Sequence, residues 1–338
     1  RAGNRAAFGI TELHLHLEGS LSAESCVDIA KIRSHRWGAF SPHQLQRTFN
    51  FNHFSDFLDA IREMCRLLAS ADVLERAARE LSLFLTRYGV DYAEVYCSPY
   101  IYVRWGLDYG EVLRGIDRGF ATGEEEGGAY CAILIDTVRQ WGCEAAEIVL
   151  DGAEQNRSER IVGFGIGGEE TLDLSEFAGV FERARKLGLK TIAHAGEGAG
   201  STEVWKAIDI LGVDRVAHGI RALDDERLLH ALAKRRIPLD IAVTSNYRTK
   251  VVRSTPHPIR ELIDHGVVTT LSTDDPSLFR TDPVREYARA RRFGQLSEAE
   301  LQTIARNGVE ASFATEERKE RLRKRLGERF DDATVRTE

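Results

Sequence analysis

The chain has 338 residues, and its 46 Lys+Arg against 53 Asp+Glu leave a formal charge of −7, which argues against a nucleic-acid-binding surface. Apolar residues make up 43% and charged residues 29%, a globular composition that excludes intrinsic disorder and supplies a large core. Five widely spaced cysteines without a C-x-x-C pair, no apolar run near the ~20 residues of a membrane span, and an amino end (RAGNRAAFGI) without a signal-peptide core point to a reduced, cytoplasmic setting with no membrane partner.

In chain order, short β-rich runs bounded by turn residues fall at 10–16, 91–98, 130–138, 160–168, 190–197, 215–220, 238–246 and 267–274. The stretch 21–88 is too long for one crossover and reads as several helices, a helical insertion beside the first strand. From the second run onward, strands alternate with segments of helical period such as 175–188 and 225–236, each opened by an acidic or hydroxyl cap. Alternation of this kind implies parallel pairing. Eight such units close into an α/β fold of the (β/α)8 TIM barrel type, where an open doubly wound sheet would show about six strands and a glycine-rich phosphate turn. The tail, 296–330, reads as charged helices that finish the outer layer, so 1–338 is expected to form one barrel domain. Apolar outer helix faces serve barrel packing and subunit contacts alike, which leaves a homo-oligomer open.

Reactive groups of a barrel enzyme sit where strands run out into loops. The first strand ends in ELHLHLEGS, and His14 and His16, two apart in an extended chain, point to one face, the barrel interior. Two aligned imidazoles among apolar neighbours need partners, and a metal is the usual one. The fifth strand ends in HAGE (His194, Glu197), the sixth in AHG (His218) and the eighth in STDDP (Asp274, Asp275). A packing explanation would need five coincidences on one rim. By contrast His35, His43, His53, His230, His257 and His265 fall in expected helices or loops and read as surface or helix residues, with only His257 near the mouth.

His14, His16, His194 and Asp274 make a nitrogen-rich set suited to zinc with a position left for water. The fourth strand, IVGFGIGG, has no Lys or Glu to bridge a second ion, so one Zn2+ is expected. His218, Glu197 and Asp275 can then divide the proton work of a deamination, in which water loses a proton and the leaving nitrogen gains one. The glycine-rich end of the fourth strand admits a flat heterocycle against the backbone.

The motifs HLHLEGS, HAGE, AHG and STDDP, in this order at these strand ends, resemble the adenosine deaminase family of the metal-dependent amidohydrolase superfamily, over nearly the whole chain. The resemblance implies zinc on His14, His16, His194 and Asp274. It also implies that Glu197 handles the proton at purine N1, that His218 orients hydroxide, that Asp275 contacts water and N7, and that Gly168 offers its N–H to N3. Attack at C6 would convert a 6-aminopurine into a 6-oxopurine and release ammonia. The P-C-x-x-C pair of cytidine-type zinc deaminases is absent.

Glu18-Gly19-Ser20 stands where adenosine-specific members usually carry Asp followed by Gly-Ala, and it resembles the branch that includes adenine and aminodeoxyfutalosine deaminases. Gly165 replaces a usual Asp, and IAVTSN lacks the common Cys-Pro. Glu18 is the candidate for a ribose hydroxyl. In the family, the run TFNFNHFSDF suggests a lid, with Phe49 and Phe51 over the substrate and Phe54 and Phe57 equally suited to core packing. Arg248 and Lys250 are candidates for an anionic distal group. The expectation is zinc-dependent deamination of a small-molecule purine substrate: adenosine or a 5′-modified adenosine such as 6-aminodeoxyfutalosine. Free adenine is an alternative, as is a non-catalytic purine- or metal-binding barrel, which would require a lost catalytic position where none is lost.

Overall fold

A computed structural model describes residues 9–51 and 54–335. Eight parallel strands pair in sequence order: β1 (Thr11–His16), β2 (Tyr92–Cys97), β3 (Tyr130–Val138), β4 (Ile161–Gly167), β5 (Lys190–Ala195), β6 (Arg215–His218), β7 (Leu239–Ile241) and β8 (Thr269–Leu271). Past β8 the extended chain returns to β1, where His16 N–H donates to Asp274 O and Asp274 N–H donates to His14 O, each at 2.9 Å. The sheet is thereby closed into a (β/α)8 barrel. Runs such as YAEVYC and YCAILIDTV have nearly every residue buried, as expected of parallel strands covered on both faces.

The β1–β2 crossover contains the expected helices: α1 (Ala23–Ile32), α2 (Pro42–Thr48), α3 (Phe54–Leu68) and α4 (Ala71–Arg87). Helix α4 lies unusually close to the helix Tyr109–Glu125 because the latter presents glycine at its contact: a Cβ on Gly119 would stand 2.1 Å from Glu75 O. The tail forms the helices Glu298–Ala311 and Glu316–Val335, the second docked through buried Leu322 and Leu326. No helix among the described residues is long and apolar enough to cross a membrane.

β7 and β8 end furthest short of their β-rich sequence. The expected run 238–246 is strand only over Leu239–Ile241, and Val243–Arg248 is a helix. The polar segment Thr244–Ser245–Asn246 is fully buried, and a helical turn plus the Glu286 carboxylate, which accepts Thr244 N–H at 3.1 Å, satisfies its backbone where β propensity could not. β8 stops at Leu271, and its extension is pinned to β1 by side chains: Ser272 Oγ accepts from Leu13 and His14 N–H, and Glu12 accepts from Thr273 N–H and Oγ1–H.

The barrel interior is layered. Near the amino ends of the strands, fully buried Arg215 pairs with Glu94 (2.7 Å) and Asp240 (2.9 Å). Next comes an apolar layer of Tyr96, Leu134, Ile192 and Ala217. Above it, at the carboxyl ends, lies a cluster of imidazoles and carboxylates.

Candidate active site

β1 contributes His14 and His16, β5 contributes His194, β6 ends on His218, and the β8 extension supplies Asp274 and Asp275. His218 and Asp274 both have left-handed backbones (φ 65° and 64°), strained for residues with a Cβ, and each turn aims its side chain at the barrel axis. His194 is oriented by an Nδ1–H···O bond to Ile166 O at 3.1 Å, which leaves its Nε2 lone pair facing the centre.

The donor atoms converge. His194 Nε2 lies 3.2 Å from His14 Nε2, and Asp274 Oδ1 lies 3.6 Å from His14 Nε2 and 3.4 Å from His16 Nε2. Zinc–nitrogen bonds of about 2.0–2.1 Å require tetrahedral edges of about 3.3–3.4 Å, close to these three spacings, and the possible ligand atoms form two overlapping groups that share His14: His14, His16 and Asp274, and His14, His194 and His218. Burial, reinforced by the neighbouring imidazoles, holds the pKa values of His14 and His194 well below the usual histidine range. Both are thus neutral, as ligands must be.

The acids around this set are shifted the other way. Burial, with the Asp274 carboxylate alongside, pushes Asp275 well above the carboxylate range, and its Oδ1 has no hydrogen-bond partner among the described residues. Glu197 is raised to about 7, chiefly by burial and against the pull of His218, whose Nε2 is 3.6 Å from Glu197 Oε2. The loop carrying Glu197 is held by Glu170, whose carboxylate accepts the N–H groups of Glu197, Gly198 and Ala199 at 2.6–3.1 Å. Arg139, also buried, bridges Glu203 (2.9 Å) and the carbonyl of His194.

A cavity of about 520 Å³ opens from this cluster. Its buried end is lined by His16, Glu18, Ser98 and Asp275, its wall by Leu58, Ile61 and Cys65 of α3, and its exposed end by Arg62, Arg66, Arg104, Trp105 and Trp141, with Gly168 exposed at the rim beside Gln140. Glu18 Oε1 accepts from Ser98 N–H (3.0 Å) and Tyr102 OH (3.4 Å), and burial raises its pKa. Gly19 permits the floor: a Cβ there would fall 1.7 Å from Asp275 Oδ1.

His14, His16, His194, His218, Glu197, Asp274 and Asp275 therefore meet in one cluster, and Glu18 and Gly168 line the cavity above it. Phe49 and Phe51 do not line it. Phe49 is buried edge-on against Trp37, and Phe51 against Phe57 and Phe279, so in this structure both pack the insertion. Arg248 is likewise turned inward, donating to Phe49 O, while Lys250 is exposed outside the cavity lining. His43, His230 and His265 are exposed as expected, and His53 lies outside the described residues. His257 is neither a surface nor a helix residue: it is buried, with Nε2 3.2 Å from Asn246 Oδ1.

Sequence reasoning passed over three residues. Tyr96 stacks on His16 (ring centroids 4.8 Å, interplanar 18°). Asp136, an acid inside the apolar run YCAILIDTV, is buried with its pKa raised by that burial, and it faces the bare backbone of β4. A Cβ on Gly165 would lie 3.0 Å from Asp136 Oδ1. Asn246 was hidden in a run read as strand. An acid or amide in an otherwise apolar run was the available signal for Asp136 and Asn246; a buried tyrosine offered none.

A closed parallel barrel with a convergent histidine–carboxylate cluster at its carboxyl rim defines a metal-dependent hydrolase of the amidohydrolase type. The chain belongs to the adenosine deaminase family, whose model matches residues 10–329, and it is a hydrolytic deaminase. It is 35% identical to the aminodeoxyfutalosine deaminase of Streptomyces coelicolor over 306 residues, covering 89% of this chain and 79% of that protein. It is 31% identical to the adenosine deaminase of Salmonella typhimurium over 327 residues, covering 94% and 98%. Among solved structures it superposes on the adenine deaminase of Arthrobacter aurescens with a TM-score of 0.90 at 27% identity, covering 95% of this chain and 98% of that one.

Proposed function

We propose that this enzyme removes the 6-amino group of a purine nucleoside extended at its 5′ end by an anionic, flat substituent, with one zinc ion held by His14, His16, His194 and Asp274. The observation that carries the substrate reading is the composition of the cavity from end to end. Its buried end has the acids Glu18 and Asp275, suited to a purine, with the Gly168 backbone at the rim, and its exposed end is basic and aromatic. Arg104 lies over the Trp141 ring at 4.7 Å and has no carboxylate partner among the described residues, whereas Arg62 and Arg66 are tied to Asp59 and Glu63. A guanidinium over an indole suits a flat group bearing a negative charge. Neither adenine nor adenosine has anything to place there. The relatedness to an aminodeoxyfutalosine deaminase supports the same direction, with 6-aminodeoxyfutalosine as the named candidate.

Bound zinc would lower the pKa of a water molecule toward neutrality. The remaining chemistry belongs to the protein. Glu197, at about 7, carries a proton at neutral pH often enough to deliver it to ring nitrogen N1 as water adds to C6. Asp275 and His218 hold the attacking oxygen, and Glu18 reaches toward the ribose. The C6–N bond then breaks, ammonia leaves with protons supplied by these acids, and the 6-oxopurine remains.

The test is ammonia release by the zinc-loaded enzyme against 6-aminodeoxyfutalosine, adenosine, 5′-methylthioadenosine, adenine and AMP. A 5′-anionic nucleoside is expected to lead in kcat/KM by at least about ten-fold, or about 1.4 kcal/mol of differential transition-state binding. Arg104→Ala should remove that lead by raising KM for the extended nucleoside and leave adenosine unchanged. Glu18→Ala should raise KM for all nucleosides and spare adenine. The reading falls if adenosine or adenine leads in the wild type. Adenine is the second reading, favoured by the adenine deaminase superposition.

A further inference from the structure

On the Nδ1 side of His218 runs a chain of buried hydrogen bonds whose direction can be deduced link by link. Ile259 N–H donates to His257 Nδ1 at 3.1 Å. A backbone N–H can only donate, so this Nδ1 is unprotonated and the proton of neutral His257 sits on Nε2. That Nε2 lies 3.2 Å from Asn246 Oδ1, an atom that can only accept. The amide is thereby oriented with its NH2 toward His218, where Nδ2 is 3.4 Å from Nδ1. An amide NH2 can only donate, so His218 Nδ1 accepts. With Nδ1 accepting, the ring proton lies on Nε2, which faces Glu197 Oε2 at 3.6 Å and Asp274 Oδ2 at 3.9 Å.

The chain is built to keep this polarity. Asn246 and His257 are buried, so water does not compete for either link. Each end is anchored on a separate element: Asn246 in the helix Val243–Arg248, and His257 through its own N–H to Phe293 O at 2.7 Å. Burial also holds His257 neutral, which preserves Nδ1 as an acceptor for Ile259.

We propose that Asn246 and His257 are positioning residues that lock His218 as its Nε2–H tautomer, so that His218 meets the attacking oxygen as a hydrogen-bond donor and leaves proton removal to the carboxylates. The proposal rests on the placement of His218 beside the attacking oxygen in the deamination reading. It goes beyond that reading by assigning which proton His218 carries and what holds it there.

The test reads the tautomer without substrate. In zinc-loaded protein labelled with 15N-histidine, and with the His218 signals assigned by their loss in His218→Gln, Nδ1 should resonate as an unprotonated and Nε2 as a protonated ring nitrogen. Asn246→Asp keeps the size and the bond to His257 but replaces the donor by an acceptor. It should place a proton on His218 Nδ1 and lower kcat about 10-fold or more, the usual range for an outer-shell partner, with zinc content and KM little changed. As a second pair, His257→Phe removes the orienting donor and should lower kcat similarly, while His257→Gln, which retains an N–H, should restore most of it. A proton on Nδ1 in the wild type overturns the proposal. So does an unchanged tautomer and kcat in both Asn246→Asp and His257→Phe with only a lower melting temperature. If no purine is deaminated yet the wild-type tautomer is as stated, the deamination reading fails and the tautomer lock stands.

Discussion

The barrel contains two buried polar clusters, one on either side of the Tyr96–Leu134–Ile192–Ala217 layer, and they are built on opposite terms. In the lower one every charge meets its opposite. Although burial works against its charge, Arg215 is held above the ordinary arginine range by Asp240 and Glu94, and Thr270 and Tyr92 donate to those carboxylates at 2.7 and 2.9 Å. In the upper one, imidazoles and carboxylates crowd together without a cationic side chain among them. His14 and His194 are driven neutral, and Asp275 is driven far above its usual range with one oxygen unpartnered. The first arrangement supplies its own countercharge, although burial also raises Glu94 and Asp240 above the ordinary carboxylate range; the second has no cationic side chain to offset its acids. Compensation of buried charge therefore separates a structural cluster from a chemical one, although both lie inside the barrel and both are largely buried.

Removing one member from each cluster sharpens the contrast. Arg215→Met leaves Glu94 and Asp240 buried without their cation and should destabilise the fold by about 3–5 kcal/mol, read from urea unfolding, with activity per folded molecule unchanged. His194→Gln in the upper cluster should do the reverse. Zinc affinity should fall by more than the ~100-fold typical of an outer-shell loss, while the unfolding midpoint of chelator-treated protein stays level or rises. Glu197→Gln should keep zinc and lower kcat by about 100-fold, as loss of a general acid does; zinc loss in that variant would make Glu197 a ligand and redraw the upper cluster.

A last expected effect concerns pH. His257 is lowered from the ordinary histidine value near 6.5 to about 3 by burial, so between these values the unfolded chain binds a proton that the folded chain does not. Its contribution is intact above about pH 6.5 and is lost as pH falls toward 3. Urea midpoints measured from pH 7 to 4 should therefore decline less steeply in His257→Gln than in the wild type, and parallel curves would show that His257 is solvated or paired in the folded state.

Much of the upper cluster was legible because its chemistry is local. His14 and His16 share a face by the two-residue repeat of a strand, and HAGE, AHG and STDDP each end a β-rich run, so the topology alone carries all seven groups to one rim. The lower cluster was not singled out. Glu94, Arg215 and Asp240 are separated by 121 and 25 positions along the chain, and nothing in their neighbours marks them as partners.

The phenylalanine run shows the same divide. Aromatic character and a place before a helix were visible in Phe49 and Phe51, but which way the rings turn was settled by contacts with Trp37, Phe57 and Phe279 from elsewhere in the chain. Arg248 was basic and near strand seven in sequence, yet the basic end of the cavity is made by Arg62, Arg66 and Arg104. Likewise the strand ending at Ile241 could not be placed from β propensity, because the helix that follows is set by the burial of Thr244, Ser245 and Asn246 and by a carboxylate from Glu286.

The barrel, its strand–helix alternation and the rim on which the reactive groups stand follow from local pattern, since periodicity and strand order are properties of neighbours along the chain. Which buried charges are compensated, which arginines border the cavity, and how His257 and Asn246 orient His218 are set by the packing of the folded chain. Each of these depends on distances between residues far apart in sequence, and Coulomb energy, desolvation and hydrogen-bond direction act through those distances.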